Sequence, residues 1–304
     1  MNKNNIVIRS CFGHEIFALW VAKAHDLGVV IVPNKDTKED FDKESQKIFD
    51  NMSFFYDKVQ KVDFSEKEEA SKNSWDVVAD LINKTLPDSV FEKISMTKLT
   101  PCKRDNLPQY NGLKNKTNVL VVMQKWLSDG LCGITAEQQS LPVETFEFLK
   151  NRKENFIFGQ HFDKNNDLQS VLDVAKEYNM YVPGITENKE VLGIRRVKHE
   201  MYENMYQNIN FSIGIAGTHT WYMLAVHPEI SQEILYNNHG TENWQKIADI
   251  LNKNGRTVCA VGFDDKTDIK KLKSKMYKSY LKFVQNKSDA LVSYIDIAQK
   301  TRSR

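Results

Sequence analysis

A cation, an imidazole and a carboxylate follow one another in the segment Arg9-Ser-Cys-Phe-Gly-His-Glu15. His14 and Glu15 are both candidates for a general base, because the pKa of either group can be tuned toward neutral pH by its surroundings. Such a base would deprotonate an acceptor hydroxyl, with Arg9 and Gly13 on the acceptor side. A simpler interpretation also stands, in which Gly13 makes a turn and Glu15 favours the helix dipole.

A second polar turn, Gly214-Ile-Ala-Gly-Thr-His-Thr220, is typical of a phosphate-binding site. Gly217 lets a ligand approach the backbone, and Thr218, His219 and Thr220 place three polar side chains on one turn. Helix N-termini attract phosphate, so we expect a donor diphosphate here. The turn is neither a G-x-G-x-x-G fingerprint nor a Walker loop, which disfavours a dehydrogenase or an NTPase. The alternative is a plain turn and helix cap.

Two further sets of polar residues are candidates for donor binding. Asn237, His239 and Glu242 follow the next predicted strand, where neighbouring loops often contact a base or ribose. Arg195 and Arg196 precede a predicted helix and could neutralise a leaving diphosphate. The alternative is that the first set belongs to an ordinary loop and that the two arginines are surface charges.

We expect neither a metal ion nor a cofactor. No set of His, Asp and Glu has the spacing of a metal site such as H-E-x-x-H. The cysteines form no C-x-x-C pair, and four lone thiols fit a reducing compartment. They are Cys11, Cys102, Cys132 and Cys259.

Strand and helix signals alternate along the chain, and this alternation predicts parallel sheets with helical crossovers. Short apolar runs predict strands over 6–8, 29–32, 58–62, 119–123, 156–158, 180–182, 211–215, 234–236 and 258–261. Longer periodic stretches predict helices over 16–24, 74–82, 143–149, 167–178, 198–206, 220–226, 242–251 and 268–284. The first of these helices has one apolar stripe.

The composition between Thr100 and Lys116 is that of a linker and predicts a domain boundary. We therefore predict an α/β protein of two Rossmann-like domains, residues 1–112 and 113–285, facing each other across a cleft. A helix or tail follows over 286–304. Because ligands bind at the carboxyl ends of parallel strands, the turns after Arg9 and Gly217 would serve that cleft.

The balance of charge argues against a dedicated nucleic-acid binder. The 304 residues include 42 Lys and Arg against 40 Asp and Glu, a net charge of +2. Nucleic-acid binders usually carry a large basic surplus, although residues 266–287 are locally rich in Lys. The N-terminal apolar stretch is interrupted by charges, and no apolar run approaches a membrane span. We expect a cytoplasmic protein that could still touch a membrane surface.

The order of these segments resembles that of GT-B glycosyltransferases, and most of all the ADP-heptose heptosyltransferase family. The resemblance covers most of the chain in short matches. They are Ile8-Arg9 with Gly13, Asp57–Asp63, Val119–Trp126, Pro142 with Glu144–Leu149, Lys198–Tyr206, and the Phe211 strand with Gly217-Thr218. The family has an acidic residue where this chain has His14, with Glu15 one position later. It has an Asp-Ser/Thr-Gly order where this chain has Ala216–His219.

The resemblance implies a metal-independent, inverting transferase that uses a nucleotide-sugar and a hydroxyl acceptor on a glycan, a lipid-linked molecule or a protein. His14 or Glu15 would be the base, and Gly217–Thr220 would stabilise the leaving diphosphate with Arg195 or Arg196. Two other classes stay open. One is a nucleotide-sugar epimerase or hydrolase, and the other is a non-catalytic relative that binds a nucleotide-sugar or a protein.

Overall fold

The computed structural model describes residues 3–9, 12–100, 118–122, 131–132, 141–150, 155–158, 173, 176–178, 180–181, 206, 209–237, 243–264 and 266–282. Within these residues the chain is an α/β protein built on parallel sheets, as the sequence predicts. The predicted domain boundary between 100 and 116 and the predicted tail over 286–304 lie outside the described residues.

Three sheets contain the described strands. The first is parallel, with the order β1-β2-β3, formed by β1 (Asn5–Ile8), β2 (Gly28–Ile31) and β3 (Val59–Lys61). The second has six parallel strands: β4 (Asn118–Val122), β7 (Asn155–Phe158), β8 (Met180–Tyr181), β9 (Phe211–Ile215), β10 (Ser231–Asn237) and β11 (Val258–Phe263). A short antiparallel pair joins β5 (Leu131–Cys132) and β6 (Leu141–Pro142).

The described helices connect and cover these strands. The α-helices are α1 (Phe12–His25), α2 (Lys38–Met52), α3 (Lys67–Asn73), α4 (Val77–Ile82), α5 (Asp88–Ser95), α6 (Thr218–Val226), α7 (Trp244–Lys253) and α8, which covers 269–282. Two 3₁₀-helices span Phe64–Glu66 and Val143–Leu149. The segment 143–149 was predicted to be helical, and the structure shows that the helix is of the 3₁₀ type.

Helices α1 and α6 form the centre of the molecule. Every residue from Ile16 to Ala22 is fully buried, and residues 219–226 are at most 4% exposed. The rings of Phe17 and Trp221 lie 4.7 Å apart where the helices pack. The prediction of a single apolar stripe on α1 was therefore wrong, because α6 covers a second side of that helix. One apolar cluster joins residues of both sheets around this pair.

The first half differs from the sequence-based predictions in two places: the start of one helix and a helix that was not predicted. A helix was expected over 74–82, but Trp75 pairs with Ile6 in a parallel bridge, and α4 begins only at Val77. Trp75 instead extends the first sheet on the free side of β1, with hydrogen bonds of 3.0 and 2.8 Å to Val7 and Asn5. Helix α5 was not predicted, although its apolar face buries against α1 and α7.

Arg256 connects the second half of the chain to the first by hydrogen bonds. Its guanidinium donates to the carbonyl oxygens of Ser95 (2.9 Å), Thr97 (3.1 Å) and Leu224, and it lies 5.0 Å from the centre of the Trp20 ring. Burial lowers the pKa of Arg256 to about 10. One cation thus binds carbonyl groups near the ends of α5 and α6 and in the loop that follows α5.

A buried carboxyl group lies beneath α8. Glu233 on β10 is 1% exposed and is next to Cys259 in the parallel register. Burial raises the pKa of Glu233 to about 8, against the smaller opposing effects of the nearby Ser279 side chain and the charge of Lys275. The same burial, together with the Glu233 carboxyl, raises the pKa of the Cys259 thiol.

Replacing Arg256 should destabilise the packing between the two halves of the chain. Arg256→Met leaves three partly buried carbonyl groups without this donor, so we expect the free energy of unfolding to fall by about 2–4 kcal/mol. Urea unfolding followed by circular dichroism measures this change. Lys253→Met removes an exposed cation nearby and should change stability by less than about 0.5 kcal/mol. Equal losses in the two variants would contradict the role given to Arg256.

The raised pKa of Glu233 predicts a pH-dependent stability. The carboxyl titrates at about 4.5 when unfolded and at about 8 when folded. Its neutral form therefore stabilises the fold fully below pH 4.5, and this contribution is lost as the pH rises toward 8. Relative to wild type, Glu233→Gln should gain up to about 3 kcal/mol between pH 5 and pH 8 in urea unfolding. Glu39→Gln, at an exposed carboxylate, should show no such gain.

Candidate functional site

The six-stranded sheet reverses its direction of growth between β4 and β9. Its strand order is β8-β7-β4-β9-β10-β11, so the chain runs outward from β4 to one edge and then outward from β9 to the other. Such a reversal opens a crevice at the carboxyl ends of the two central strands, where ligands of doubly wound sheets bind. The Gly217 turn leaves β9 at this point and leads directly into α6.

Gly214 lets the two central strands approach closely at the reversal. It pairs with Val122 across β4 and β9, and its φ is +157°. A side chain at Gly214 would place its Cβ 2.2 Å from the Val122 carbonyl oxygen and 2.6 Å from the Val122 Cβ. Glycine is therefore required at this position by the neighbouring strand.

The first sheet has an equivalent reversal at β1. β2 lies on one side of β1 and Trp75 on the other, so Arg9 and Asp76 leave adjacent strand ends. Arg9 Nε donates to Asp76 Oδ2 at 2.9 Å, and a second guanidinium nitrogen donates to the Ser71 hydroxyl. The other Asp76 oxygen accepts the Ala79 N–H at 3.0 Å and caps α4. One carboxylate thereby positions both the cation and a helix.

The first turns of α1 and α6, which follow the two points of strand-order reversal, are in direct contact. A Cβ atom at Gly13 would lie 3.1 Å from the Thr218 hydroxyl oxygen and 3.2 Å from the Thr218 Cα. The pairing of Phe17 with Trp221 one turn further on means that the helices run in the same direction. Each N-terminus carries roughly half a positive charge, so this edge of the molecule attracts anions. Glu15 supplies an acidic group in the first turn of α1, and α6 has none.

A cavity of about 220 Å³ lies beside the start of α1. Its polar lining consists of Arg9, His14, Glu15 and Asp76, and its apolar lining of Val7, Ile8, Val78, Ala79 and Ile82. Glu15 is 5% exposed. A carboxylate and an imidazole that face one small, mostly apolar space can accept a proton from a hydroxyl bound there.

The turn after β9 has a different geometry from the one expected. Thr220 is buried, and its hydroxyl accepts the Gly217 N–H at 3.1 Å. His219 is also buried, and its Nδ1 is hydrogen-bonded to the Tyr206 hydroxyl. Both side chains were predicted to contact a donor, but they face the core because residues 219–226 are covered on all sides. What remains for a ligand is the backbone of the first helical turn and the Thr218 side chain.

The other predicted donor residues are only partly described. Asn237 ends β10, and the register places Leu235 beside Ile215, so Asn237 lies at the same sheet edge as the Gly217 turn. Arg195, Arg196, His239 and Glu242 lie outside the described residues. Among the residues that the structure describes, no three His, Cys, Asp or Glu side chains are grouped to hold a metal ion.

Asp76 and Tyr206 were not predicted as members of the site. Asp76 could have been found from the sequence, because Asp before an apolar helical run is a common N-cap. The contact of Tyr206 with His219 joins residues 13 apart in the sequence, and no local pattern indicates it.

Comparison with protein-family models, with curated proteins and with solved structures found no match. In the described part of the chain, no helix is both long enough and apolar enough to cross a membrane.

Proposed function

We propose that the protein is a metal-independent glycosyltransferase of the GT-B type, with two Rossmann-like domains and a cytoplasmic location. The observation that supports the proposal most is the contact between Gly13 and Thr218, which joins the strand-reversal points of the two sheets. Each reversal point alone is the usual ligand position of such a sheet. Their contact suits a reaction between two substrates, one held by each half.

The donor diphosphate would lie at the N-terminus of α6. The first turn of an α-helix has N–H groups without intrahelical partners, and phosphate oxygens accept hydrogen bonds from them. The parallel N-terminus of α1 adds to the positive potential. Arg195 or Arg196 would add a cation for the leaving group, while Asn237, His239 and Glu242 would contact the nucleotide or the sugar.

The acceptor hydroxyl would lie in the cavity beside Glu15 and His14. One of these groups takes the proton from the hydroxyl, and the acceptor oxygen attacks the anomeric carbon. The bond from that carbon to the diphosphate oxygen breaks, and the diphosphate leaves with the electron pair. A single displacement of this kind inverts the anomeric centre. The N–H groups of α6 stabilise the negative charge that develops on the leaving oxygen. The acceptor itself would be a glycan, a lipid-linked molecule or a protein.

Backbone recognition of the diphosphate can be tested at Thr218, the first residue of α6. Thr218→Pro removes one N–H at a position where helices tolerate proline, whereas Thr218→Ala removes only the side chain. We expect a UDP-, GDP-, ADP- or CMP-sugar to raise the melting temperature of the wild type. Thr218→Pro should weaken that binding by about tenfold or more, and Thr218→Ala by much less. Calorimetry gives the affinities.

Two results would count against this donor site. The first is that no nucleotide-sugar stabilises the wild-type chain, which would favour a protein-binding relative. The second is that Thr218→Pro and Thr218→Ala bind the donor equally well.

The base can be tested with the neutral variants Glu15→Gln and His14→Gln. Loss of a general base typically costs about 10²–10⁴ in turnover, and donor affinity should stay within about threefold of wild type. Turnover is measured as nucleotide release with and without an acceptor extract. If donor binding falls instead, the cavity is part of the donor site. If no acceptor changes the rate of nucleotide release, the enzyme is a hydrolase.

A further inference from the structure

Helix α8 and the turn that precedes it carry a large local excess of positive charge. Residues 266–282 contain seven Lys and one Asp, a net charge of +6, whereas the whole chain has a net charge of +2. The remainder of the chain is therefore net negative by four charges. The basic surplus is not spread over the surface but is concentrated on one helix and the turn that precedes it.

The lysines of α8 fall on the solvent side of the helix. Its apolar side, with Leu272, Met276 and Tyr280, is buried against the second sheet. A row of exposed lysines with spacings of four, three and four residues runs along the other side. This basic row consists of Lys271, Lys275, Lys278 and Lys282, and the exposed Lys270 lies next to it.

This arrangement is unfavourable for an isolated helix. Like charges three or four residues apart repel, and the basic row contains three such neighbouring pairs. Within the described residues, no carboxylate forms a salt bridge with any lysine of the row, whereas Lys273 on the flank pairs with Glu147 at 2.7 Å. Asp268 accepts backbone N–H groups at the start of the helix. The repulsion is relieved when an anionic partner covers the row.

Helix α2 shows what an ordinary exposed helix of this protein looks like. It has a similar length, but Lys and acidic residues alternate along it, and Lys47 pairs with Glu44 at 3.0 Å. The single sign of charge on α8 is therefore a property of that surface and not of the surface of the protein in general.

We propose that the basic row of α8 docks on an anionic lipid membrane. A straight row of separate ammonium groups matches a flat surface that carries many phosphate and carboxylate groups, and each lysine adds attraction there. The exposed positions of the helix contain neither Arg nor an aromatic ring, which are the groups that grip single-stranded RNA by bidentate bonds and stacking. Helix α8 follows β11, so it begins at the sheet edge that holds the candidate site.

Vesicle flotation of the full chain tests this surface. We expect binding to phosphatidylcholine vesicles with about 30 mol% phosphatidylserine, and no binding to phosphatidylcholine alone. Raising the salt from about 50 mM to about 500 mM should lower the partition coefficient at least tenfold. The variant K271Q/K275Q/K278Q/K282Q should lose about 100-fold or more in partition coefficient, because each lysine contributes roughly fivefold.

A matched variant controls for net charge. K35Q/K38Q/K43Q/K253Q removes four exposed lysines elsewhere and should bind the anionic vesicles within about threefold of wild type. Circular dichroism checks that both variants are folded. The proposal is overturned if the wild-type chain does not bind the anionic vesicles. It is equally overturned if the matched variant loses as much vesicle binding as the α8 variant. It is also overturned if polyuridylate binds more tightly than the vesicles and the α8 variant loses that binding.

Discussion

Helices α1 and α6 pack side by side from Gly13 and Thr218 at one end to Trp20 and Leu224 at the other, and both sheets are built around this pair. Because each helix is buried on all sides, neither could be stable without the other and the sheets that cover them. The approach is close at Gly13: with a larger residue there, Thr218 would have to shift by a few tenths of an ångström. A single apolar cluster therefore extends through both halves of the chain.

The direction of this packing links stability to the proposed function. Parallel neighbouring helices place their positive ends together, which is electrostatically less favourable than an antiparallel pair. Glu15 offsets part of that charge from within the first turn of α1. An anion at the junction would offset more of it. The contact that completes the core therefore also places positive potential where the proposed diphosphate would bind.

A core of this extent encloses ionisable groups, and each of three such groups avoids an unpaired buried charge in a different way. Arg256 keeps its charge and shares it among three carbonyl oxygens. The His219 ring is hydrogen-bonded to the buried hydroxyl group of Tyr206. Glu233 retains its proton, because the interior disfavours the charged carboxylate. Each solution avoids the cost of an unsatisfied buried charge.

The sequence by itself determined the elements whose signals are local. Apolar runs marked the strands of the two parallel sheets, and periodic stretches marked α1, α6, α7 and α8. The polar turns after Arg9 and Gly217 were recognised as helix starts, but the short strands β5 and β6 were not predicted. Helix α5 was missed although Val90, Phe91 and Ile94 have helical spacing after Pro87, so its signal was present in the sequence. Local patterns do not extend further, because they describe only residues within one or two turns of each other.

Only the tertiary structure decided which ends of these elements meet. The contact of Gly13 with Thr218, the place of Trp75 in the first sheet and the strand order of the second sheet depend on residues that are distant in the chain. The burial of His219 and Thr220 also follows from such packing, since α6 is covered on the sides that its sequence left undefined. The sequence therefore predicted the two polar turns and a common location for them, whereas the contact of Gly13 with Thr218 that brings them together was not predictable.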